Sequence, residues 1–527
     1  MLDLIIKNGR IVTAAEVLPG CLDIGIKHGK IALIGQNLEG GPQTEVIDAE
    51  GAYVTPGGVD SHAHVEQDNS PTGDTWETGT RSAIAGGNTT IIAFATQKRQ
   101  EESIWPALEA YHKKATGNSY CDYGFHLILS NPTEQIYETE LPQLVERGIS
   151  SIKLYMTYVP LRLGDADLFN IMMRARSLGI MTMIHAENND IVEQVTKRLA
   201  EQGLTDSFYH SVARPQIAES EATYRAISLA EVTDTPILIV HMSAPAAIEH
   251  VAQARKRLLP IHAEACPHYL YLTSERLQSG PQDCEGAKHI CAPPLRHSPE
   301  DLEELWRSVA NGTFTVISSD HAPSTFDHPN GKMRGRIKHS TNKTNTHHHN
   351  QNSDKPNFDF RNVPNGLPGL ETRLPLIFNR TYDPSTPPQK LDRPLGLNPI
   401  IGKKPSSSDN IMITLPRFVQ LTSTNPAQLY GLGGRKGSLA PGYDADVVIW
   451  YSENVNVKGD GGREIVIRNE ALHHRIDYTP FEGMRVRNWP RKVFLRGRLV
   501  WDRDREGVMG RKGDGEFLMR VRSSLNY

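Results

Sequence analysis

Apolar and polar positions along the chain follow two different rhythms. In the first 55 residues, short apolar runs are separated by Asn-Gly, His-Gly and Glu-Gly pairs, which is the turn chemistry of β-hairpins. Similar runs return at 436–451 and 491–504. The middle of the chain alternates apolar, strand-like runs with longer helical stretches. The pattern therefore predicts one small β-sandwich built from both termini around a different central domain.

Eight strand-like runs can be counted in the middle of the chain, each followed by a helical stretch. They lie at 52–60, 89–96, 122–130, 149–156, 179–186, 235–243, 259–267 and 314–320. Repeated βα units predict a parallel sheet, and eight of them predict a closed (β/α)8 TIM-like barrel. The alternative is an open, doubly wound sheet. A nucleotide-binding version should carry a Gly-rich G-x-G-x-x-G turn after its first strand, which "TPGGVDSHAH" does not match, so the barrel is favoured.

These patterns give a domain plan for the α/β chain. Residues 1–55 and 433–503 form the two parts of the sandwich, 56–432 form the barrel, and 504–527 form a C-terminal tail. Two segments, 327–362 and 382–410, lack an apolar period and are predicted to be surface loops inserted in the barrel. Three consecutive histidines in the first loop, His347, His348 and His349, are expected to be solvated rather than to bind a metal.

Composition narrows the range of partners. The chain has 527 residues, of which 38% are hydrophobic and 22% charged, with a formal net charge of −4. This balance does not favour nucleic-acid or anionic-membrane binding. No apolar run is long enough to span a membrane, and the start lacks the pattern of a signal peptide. Five cysteines without a Cys-x-x-Cys pair indicate free thiols in a reducing, cytoplasmic setting.

Metal-competent side chains stand at or near the carboxyl ends of the predicted barrel strands. They are His62 and His64 after the first strand, Lys153 in the fourth, His185 in the fifth, His241 in the sixth and Asp320 in the eighth. A barrel gathers these strand ends at one mouth. A single histidine in such a place is usually structural, but six groups in barrel order predict a metal site.

The predicted set is larger than one tetrahedral zinc requires. Four histidines and an aspartate suit two cations that share a bridging anion. A protonated Lys153 would repel a cation, but carboxylation of its amine by CO2 would give an anionic carbamate with two oxygens. Its place inside an apolar strand makes a surface or salt-bridging role less favourable. We therefore expect two divalent cations, Zn²⁺ first, and N6-carboxylysine at Lys153.

Several motifs carry a family resemblance. The segments "GGVDSHAH", "IKLYMTY", "MIHAEN", "IVHMS", "SSDHAP", "NGLPGLE" and "KGSLAPGYDADVVIW" resemble the cyclic amidohydrolases, and most closely their dihydropyrimidinase/hydantoinase branch. The resemblance runs from about residue 3 to about residue 500. It implies that one metal is held by His62, His64, carboxylated Lys153 and Asp320, and the second by Lys153, His185 and His241. It also implies a homo-oligomer, specifically a homotetramer.

Three details bear on the branch. Dihydroorotases typically place an arginine two residues after the His-x-His pair, where this chain has Glu66. Dihydropyrimidinases usually have a tyrosine five residues after the bridging lysine, and Tyr158 stands there. The resemblance further implies that main-chain atoms at Asn365 and Ala292 bind the ring amide. Ala292 departs from the usual serine, but a main-chain contact does not depend on the side chain.

The expected reaction is hydrolytic ring opening of a cyclic amide, which is the small-molecule partner. A hydroxide activated by two metals attacks the ring carbonyl. Asp320 carries its proton to the leaving nitrogen, and Tyr158 stabilises the oxyanion. We expect 5,6-dihydrouracil and dihydrothymine to be the substrates, with hydantoinase side activity. The alternatives are an allantoinase, a hydantoinase of other preference, and a non-enzymatic scaffold protein. The scaffold relatives have lost metal ligands, whereas all six positions are filled here.

Overall fold

A computed structural model describes residues 1–68, 70–279, 284–336, 358–385, 411–452 and 464–525. Within this part of the chain, none of the helices combines the length and the apolar character needed to span a bilayer. The five cysteines all lie within it, and none is in a disulfide.

Eight parallel strands form the central sheet, in the order in which they follow one another along the chain. They are β1 (Gly58–Ala63), β2 (Asn88–Thr96), β3 (Asp122–Ile128), β4 (Ser151–Tyr155), β5 (Met181–His185), β6 (Ile237–Ile239), β7 (Ile261–Ala265) and β8 (Val316–Ile317). A parallel bridge between Ala63 and His321 joins the two ends of the sheet, and His64 N donates to His321 O at 2.7 Å. The sheet is thus a closed barrel, as the sequence pattern predicts.

The helices follow the strands around the outside. They are α1 (Trp76–Ala85), α2 (Trp105–Ala115), α3 (Leu141–Glu146), α4 (Asp165–Leu178), α5 (Asn189–Glu201), α6 (Tyr209–Ala213), α7 (Gln216–Thr233), α8 (Pro245–Lys256), α9 (Pro267–Tyr271), α10 (Pro299–Ala310), α11 (Arg373–Phe378), α12 (Leu415–Val419) and α13 (Asn425–Leu429). Local sequence fixes several of their ends. Thr75 begins α1 with a capping box, and Gly179 ends α4 in the left-handed conformation (φ 69°) that glycine adopts without strain.

A second, nine-stranded sheet is built from both ends of the chain, as the hairpin signals predict. Its N-terminal strands are Leu4–Ile11, Leu22–Lys27, Lys30–Gly35, Glu45–Asp48 and Tyr53–Pro56, and its C-terminal strands are Val447–Trp450, Pro490–Leu495, Arg498–Asp502 and Gly507–Val508. Val447–Trp450 pairs antiparallel with Tyr53–Pro56, which joins the two halves. Apolar residues from both termini, including Ile6, Val54 and Phe494, share one buried cluster. Two-residue strands also pair at Thr381–Tyr382 with Ile413–Thr414, and at Ile465–Val466 with Arg485–Val486.

The segment 327–362, predicted to be a surface loop, is exposed at 327–330 and 361–362 but is buried at several described positions between them. Residues 337–357, with His347 to His349, lie outside the described residues, as does most of the second loop. Described residues on both sides of this gap are nevertheless packed into the protein. Phe358 and Phe360 belong to a buried apolar cluster, and the side chain of Lys332 is fully buried. Their burial comes from contacts with distant segments, which the local polar composition could not indicate.

Candidate metal centre and substrate pocket

Three of the predicted ligands meet at the carboxyl-terminal mouth of the barrel. One ligand atom each from His62, His64 and Asp320 lies within 4.8 Å of the others. His62 Nε2 is 3.1 Å from Asp320 Oδ1, and His64 Nε2 is 3.8 Å from the same oxygen. The strands place them there because β1 ends at Ala63 and Asp320 follows β8, its neighbour across the barrel closure. Two imidazoles and a carboxylate are a common ligand set for a divalent cation.

A buried carboxylate sets the orientation of His62. Glu264 Oε1, from β7, lies 2.7 Å from His62 Nδ1, so that nitrogen carries the proton and Nε2 is left with its lone pair toward Asp320. The same oxygen accepts the main-chain N–H of His241 at 2.9 Å. Glu264 was not singled out in the sequence, although a carboxylate inside the apolar strand "IHAEA" is a signal that could have found it. Such carboxylate–histidine pairs fix tautomer and ring direction at metal sites.

Lys153 lies in the same place, as the barrel order predicts. Its Nζ is 2.8 Å from His62 Nε2 and 4.5 Å from the centre of the Phe94 ring. The side chain is 1% exposed, and burial lowers the pKa of its amine. A neutral amine is the form that reacts with CO2. The position would therefore suit a carbamate.

His185 and His241 form the other half of the site. Their ring centroids are 4.5 Å apart, and His241 is 5.5 Å from His62. Glu187 Oε2 lies 2.7 Å from His185 Nε2, which leaves His185 Nδ1 unprotonated, while His241 Nδ1 is buried with no hydrogen-bond partner among the described residues. Burial lowers the pKa of both imidazoles, which keeps them in the neutral form that binds cations.

Four non-glycine residues at this mouth have a left-handed backbone conformation. Tyr158, His241 and Asp320 have φ values of 65°, 37° and 46°, and Glu66 beside them has 52°. Non-glycine residues rarely adopt the left-handed region, and such strain often collects at functional sites. Each of these residues follows the end of a strand, and its left-handed backbone gives the side chain a different direction from that of a regular strand continuation.

A buried ion pair between Asp60 and Arg373 connects the ends of β1 and β8 near His62 and Asp320. Asp60 Oδ1 accepts the main-chain N–H groups of His62 at 3.2 Å and Ser319 at 3.1 Å. Arg373, fully buried, brings Nε within 3.3 Å of Asp60 Oδ2 and donates to Ile317 O at 2.7 Å. This network connects the two strand ends that carry His62 and Asp320, and it thereby fixes the distance between these two side chains.

The substrate residues predicted from the sequence lie around the same opening. Tyr158, Ala292 and Asn365 all line a cavity of about 720 Å³ that also contains Lys153 and Asp320. Asn365 Nδ2 donates to Tyr158 Oη at 3.1 Å. Burial raises the pKa of Tyr158, so its phenol stays protonated and remains a hydrogen-bond donor.

Arg214 connects Glu187 with the Tyr158 ring. Arg214 Nη1 lies 2.6 Å from Glu187 Oε2, and its guanidinium stacks 5.2 Å from the Tyr158 ring centre. Burial alone would raise the pKa of Glu187, but Arg214 and His185 lower it to about 2.

Glu219 and Arg296 pair with each other, whereas His268 has no assigned role. Glu219 receives Arg296 Nη2 at 2.6 Å and the main-chain N–H of Ser243 at 2.8 Å, which fixes the turn just after His241. His268 is buried with Nε2 unpaired among the described residues, and nothing in the structure explains it.

The side chains present therefore fit a pair of cations. The donors are neutral imidazole nitrogens, a carboxylate and a lysine buried among them, and each of His62 and His185 is turned by its own buried carboxylate. In metal sites the second ring nitrogen of a ligating histidine is held in this way. Fold and site together define the class: a parallel α/β barrel with a cluster of metal-competent side chains at its mouth.

Comparison with known proteins gives the family. The model of the amidohydrolase family matches residues 53–361 and 402–500. D-hydantoinase from Ralstonia pickettii is 38% identical over 98% of this chain and 99% of its own length. D-phenylhydantoinase from Escherichia coli strain SE11 is 32% identical, covering 98% of both chains. The crystal structure of dihydropyrimidinase from Brevibacillus agri NCHU1002 is 33% identical, covers 98% of both chains and has a TM-score of 0.82. The chain belongs to the amidohydrolase family.

Proposed function

We propose that this chain hydrolyses cyclic amides by opening a ring of the hydantoin or dihydropyrimidine type. The observation that carries the proposal is the convergence of His62, His64 and Asp320 beside a buried lysine at the barrel mouth. The names of the relatives, hydantoinase and dihydropyrimidinase, support the same chemistry. The scaffold alternative is disfavoured because no ligand position is lost.

Two cations are proposed at these side chains, one held by His62, His64, carboxylated Lys153 and Asp320, the other by Lys153, His185 and His241. When bound, such a pair, with zinc as the first candidate, supplies an activated water at neutral pH. The remaining features belong to the chain itself. Buried Glu264 and Glu187 hold two of the imidazoles in the required tautomer.

The proposed role of Asp320 is proton transfer. Its carboxylate, which lies 3.1 Å from His62 Nε2 and 3.8 Å from His64 Nε2, would take the proton of the attacking water and return it to the ring nitrogen that leaves. Tyr158 is proposed to donate its phenolic hydrogen to the developing oxyanion, a contact that is strongest in the transition state. The product of dihydrouracil would be N-carbamoyl-β-alanine.

Main-chain atoms at Ala292 and Asn365 are proposed to hold the ring amide. Both residues line the cavity with Tyr158, on the side of the mouth formed by loops after β7 and β8. A cyclic ureide has alternating N–H and C=O groups in one plane, so main-chain carbonyls and N–H groups can bind it without a charged side chain. Glu66, which accepts the N–H of Trp76 at 2.9 Å, would disfavour a substrate carboxylate near His64.

We propose that the preferred substrate is 5,6-dihydrouracil and that hydantoins are the second candidate. The cavity wall after β1 contains Gln67, Asp68 and Ser70, whose polar side chains suit a small, unsubstituted ring. The hydantoinase names of the relatives favour the second candidate.

A substrate panel tests the proposal. Zinc-loaded protein is incubated with dihydrouracil, dihydrothymine, hydantoin, allantoin and dihydroorotate, and ring opening is followed by loss of ring absorbance and by mass spectrometry of the carbamoyl product. We expect turnover of dihydrouracil, dihydrothymine and hydantoin, with kcat/KM highest for dihydrouracil. Preference for allantoin or dihydroorotate would contradict the substrate assignment, and no turnover of any ring would contradict the function.

A further inference from the structure

Lys332 is a fully buried lysine away from the metal ligands. It follows the loop after β8, its side chain is 0% exposed, and within the described part of the chain it forms no ion pair. Its Nζ donates instead to three main-chain carbonyls: Ile290 O at 2.9 Å, Pro364 O at 2.7 Å and Gly366 O at 2.7 Å. An ammonium group has three N–H donors, so each donor is used. Burial lowers the pKa of this amine to about 7, whereas the three carbonyl acceptors favour its ammonium form.

These carbonyls belong to two separate segments of the cavity wall. Pro364 and Gly366 flank Asn365, and Ile290 lies two residues before Ala292. The two segments also touch directly, since Gly366 N donates to Ile290 O at 3.0 Å. Lys332 itself is fixed to a third segment, because its main-chain N–H donates to Thr325 O at 2.8 Å. One amino group therefore joins three loops at the mouth of the barrel.

The approach of these loops is close. Gly366 has φ 115°, and a Cβ built on it would lie 2.1 Å from Ala322 O, two residues beyond Asp320. At this point the wall is thus packed main chain against main chain. A shift at 290–292 or 364–366 would move the main-chain atoms of Ala292 and Asn365 relative to Asp320 and Tyr158.

We propose that Lys332 is the positioning residue that sets the two main-chain segments of the ring-binding wall, at Ala292 and Asn365, at their working separation. This inference rests on the proposed function, since it assigns those segments to ring binding. Lys332 does not line the cavity and does not touch the ring. It acts only through the carbonyls it holds.

The kinetic consequence differs from that of a catalytic group. Main-chain hydrogen bonds to the ring amide exist in the ground state and in the transition state alike. Loss of such uniform binding raises KM and leaves kcat nearly unchanged. Hydrogen bonds of a charged donor are worth about tenfold to hundredfold each in an equilibrium constant. We therefore expect KM for dihydrouracil to rise at least about tenfold when the amino group is removed, with kcat within about threefold of the wild type.

The test uses two variants of the zinc-loaded full chain. Lys332→Met keeps the volume and removes the three donors. Lys332→Ala opens a cavity lined by the three carbonyls, into which ethylammonium can be added from solution. The matched control is Lys288→Met, which removes a half-exposed lysine paired with Glu285 at 2.6 Å, just before the same segment. Zinc content and circular dichroism are measured for all three variants.

The expected result has four parts. KM rises in both Lys332 variants, zinc content stays at the wild-type level, ethylammonium lowers KM of Lys332→Ala in a saturable way, and Lys288→Met behaves as wild type. A KM within twofold of wild type would overturn the inference, and so would a loss of kcat at unchanged KM. Failure of both Lys332 variants to fold even with ethylammonium present would assign the lysine to folding and would also overturn it. Turnover by the wild type tests the proposed function, whereas the ratio of variant to wild type tests Lys332.

Discussion

At the scale of single residues, one buried carboxylate accepts hydrogen bonds from two of the proposed metal ligands. Glu264 accepts from the ring of His62 and from the main chain of His241, residues that are 202 and 23 positions away. The sequence could predict that the proposed ligands meet, because each stands at or near a strand end and a barrel brings its strand ends together. It could not predict what orients them, because those contacts depend on which side chains cross the barrel. The contacts of Lys332 were even less predictable, because this residue lies in a polar segment that has no apolar period.

Tyr158→Phe separates metal binding from catalysis. Since the tyrosine is not among the proposed ligands, we expect zinc content to be unchanged. Loss of one donor to an oxyanion typically costs about 10²–10³-fold in kcat. KM should change less, because the ground-state carbonyl carries less negative charge. Steady-state kinetics with dihydrouracil and metal analysis of the same samples measure both quantities.

A fall in kcat of less than about tenfold, with zinc intact, would contradict this role for Tyr158. The residue would then be part of the cavity wall, and the hydrogen bond from Asn365 would be its main contact. Tyr137→Phe is a suitable control, because that tyrosine lies in the helical turn Ile136–Glu140 before α3 and does not line the cavity.

At the scale of elements, regular segments were predictable and the connecting segments were not. All eight barrel strands and their parallel order follow from apolar runs with helical stretches between them. The burial of Lys332 and Phe358 could not be predicted, because it arises from packing against 205–209, Leu277 and 284–290 rather than from the local pattern. Loops of this kind carry little periodicity even where they form a core of their own.

The segment after β1 gives a prediction about substrate choice. Its polar side chains offer little apolar surface to a bulky ring substituent, so kcat/KM should be higher for dihydrouracil than for 5-phenylhydantoin. Asp68→Met adds apolar surface at the cavity and should raise kcat/KM for 5-phenylhydantoin by about threefold to tenfold, with little change for dihydrouracil. Asp190→Met, at an exposed ion pair on α5, serves as the control.

Faster turnover of 5-phenylhydantoin than of dihydrouracil by the wild type would count against this reading. It would place the chain with relatives such as the D-phenylhydantoinase of Escherichia coli in substrate preference as well as in family. Competition between the two substrates in one reaction gives the ratio of kcat/KM directly.

At the scale of the whole molecule, a buried charge cluster connects the two termini with the barrel. Asp444 receives Lys30 at 3.0 Å, Arg435 at 2.9 Å and Lys436 at 3.0 Å. Lys436 in turn lies 2.6 Å from Asp122, the first residue of β3. The hairpin signals predicted that both termini build one sheet, but not that a charge cluster would tie this sheet to the barrel.

Asp444→Asn should destabilise the protein at neutral pH. Burial alone would raise the pKa of Asp444, but Lys436, Lys30 and Arg435 lower it from 3.8 to about 2. Because the folded pKa is below the unfolded value, the ionised carboxylate stabilises the fold above about pH 4, and this stabilisation is lost as pH falls toward 2. Allowing for solvent screening, the loss at pH 7 should be about 1–2 kcal/mol.

Urea unfolding of metal-free wild type and Asp444→Asn at several pH values between 7 and 3 measures this effect. The difference in the free energy of unfolding should be largest at pH 7 and shrink at the acid end. A difference that is absent at pH 7, or that grows as the pH falls, would refute the assignment. Asp165→Asn removes an exposed ion pair with Arg225 and should change stability little.

The proposed metal centre depends on a carbamate at Lys153 that would be shared by two cations. Metal-free protein is reloaded with zinc in buffer freed of CO2 and, in parallel, with added bicarbonate, and zinc per chain and dihydrouracil turnover are measured on the same samples. We predict two zinc ions per chain and full activity with bicarbonate, and low zinc content with little activity without it. Lys153→Ala should stay inactive and zinc-poor under both conditions. Two tightly bound zinc ions and full turnover without CO2, or retention of both metals by Lys153→Ala, would contradict the account.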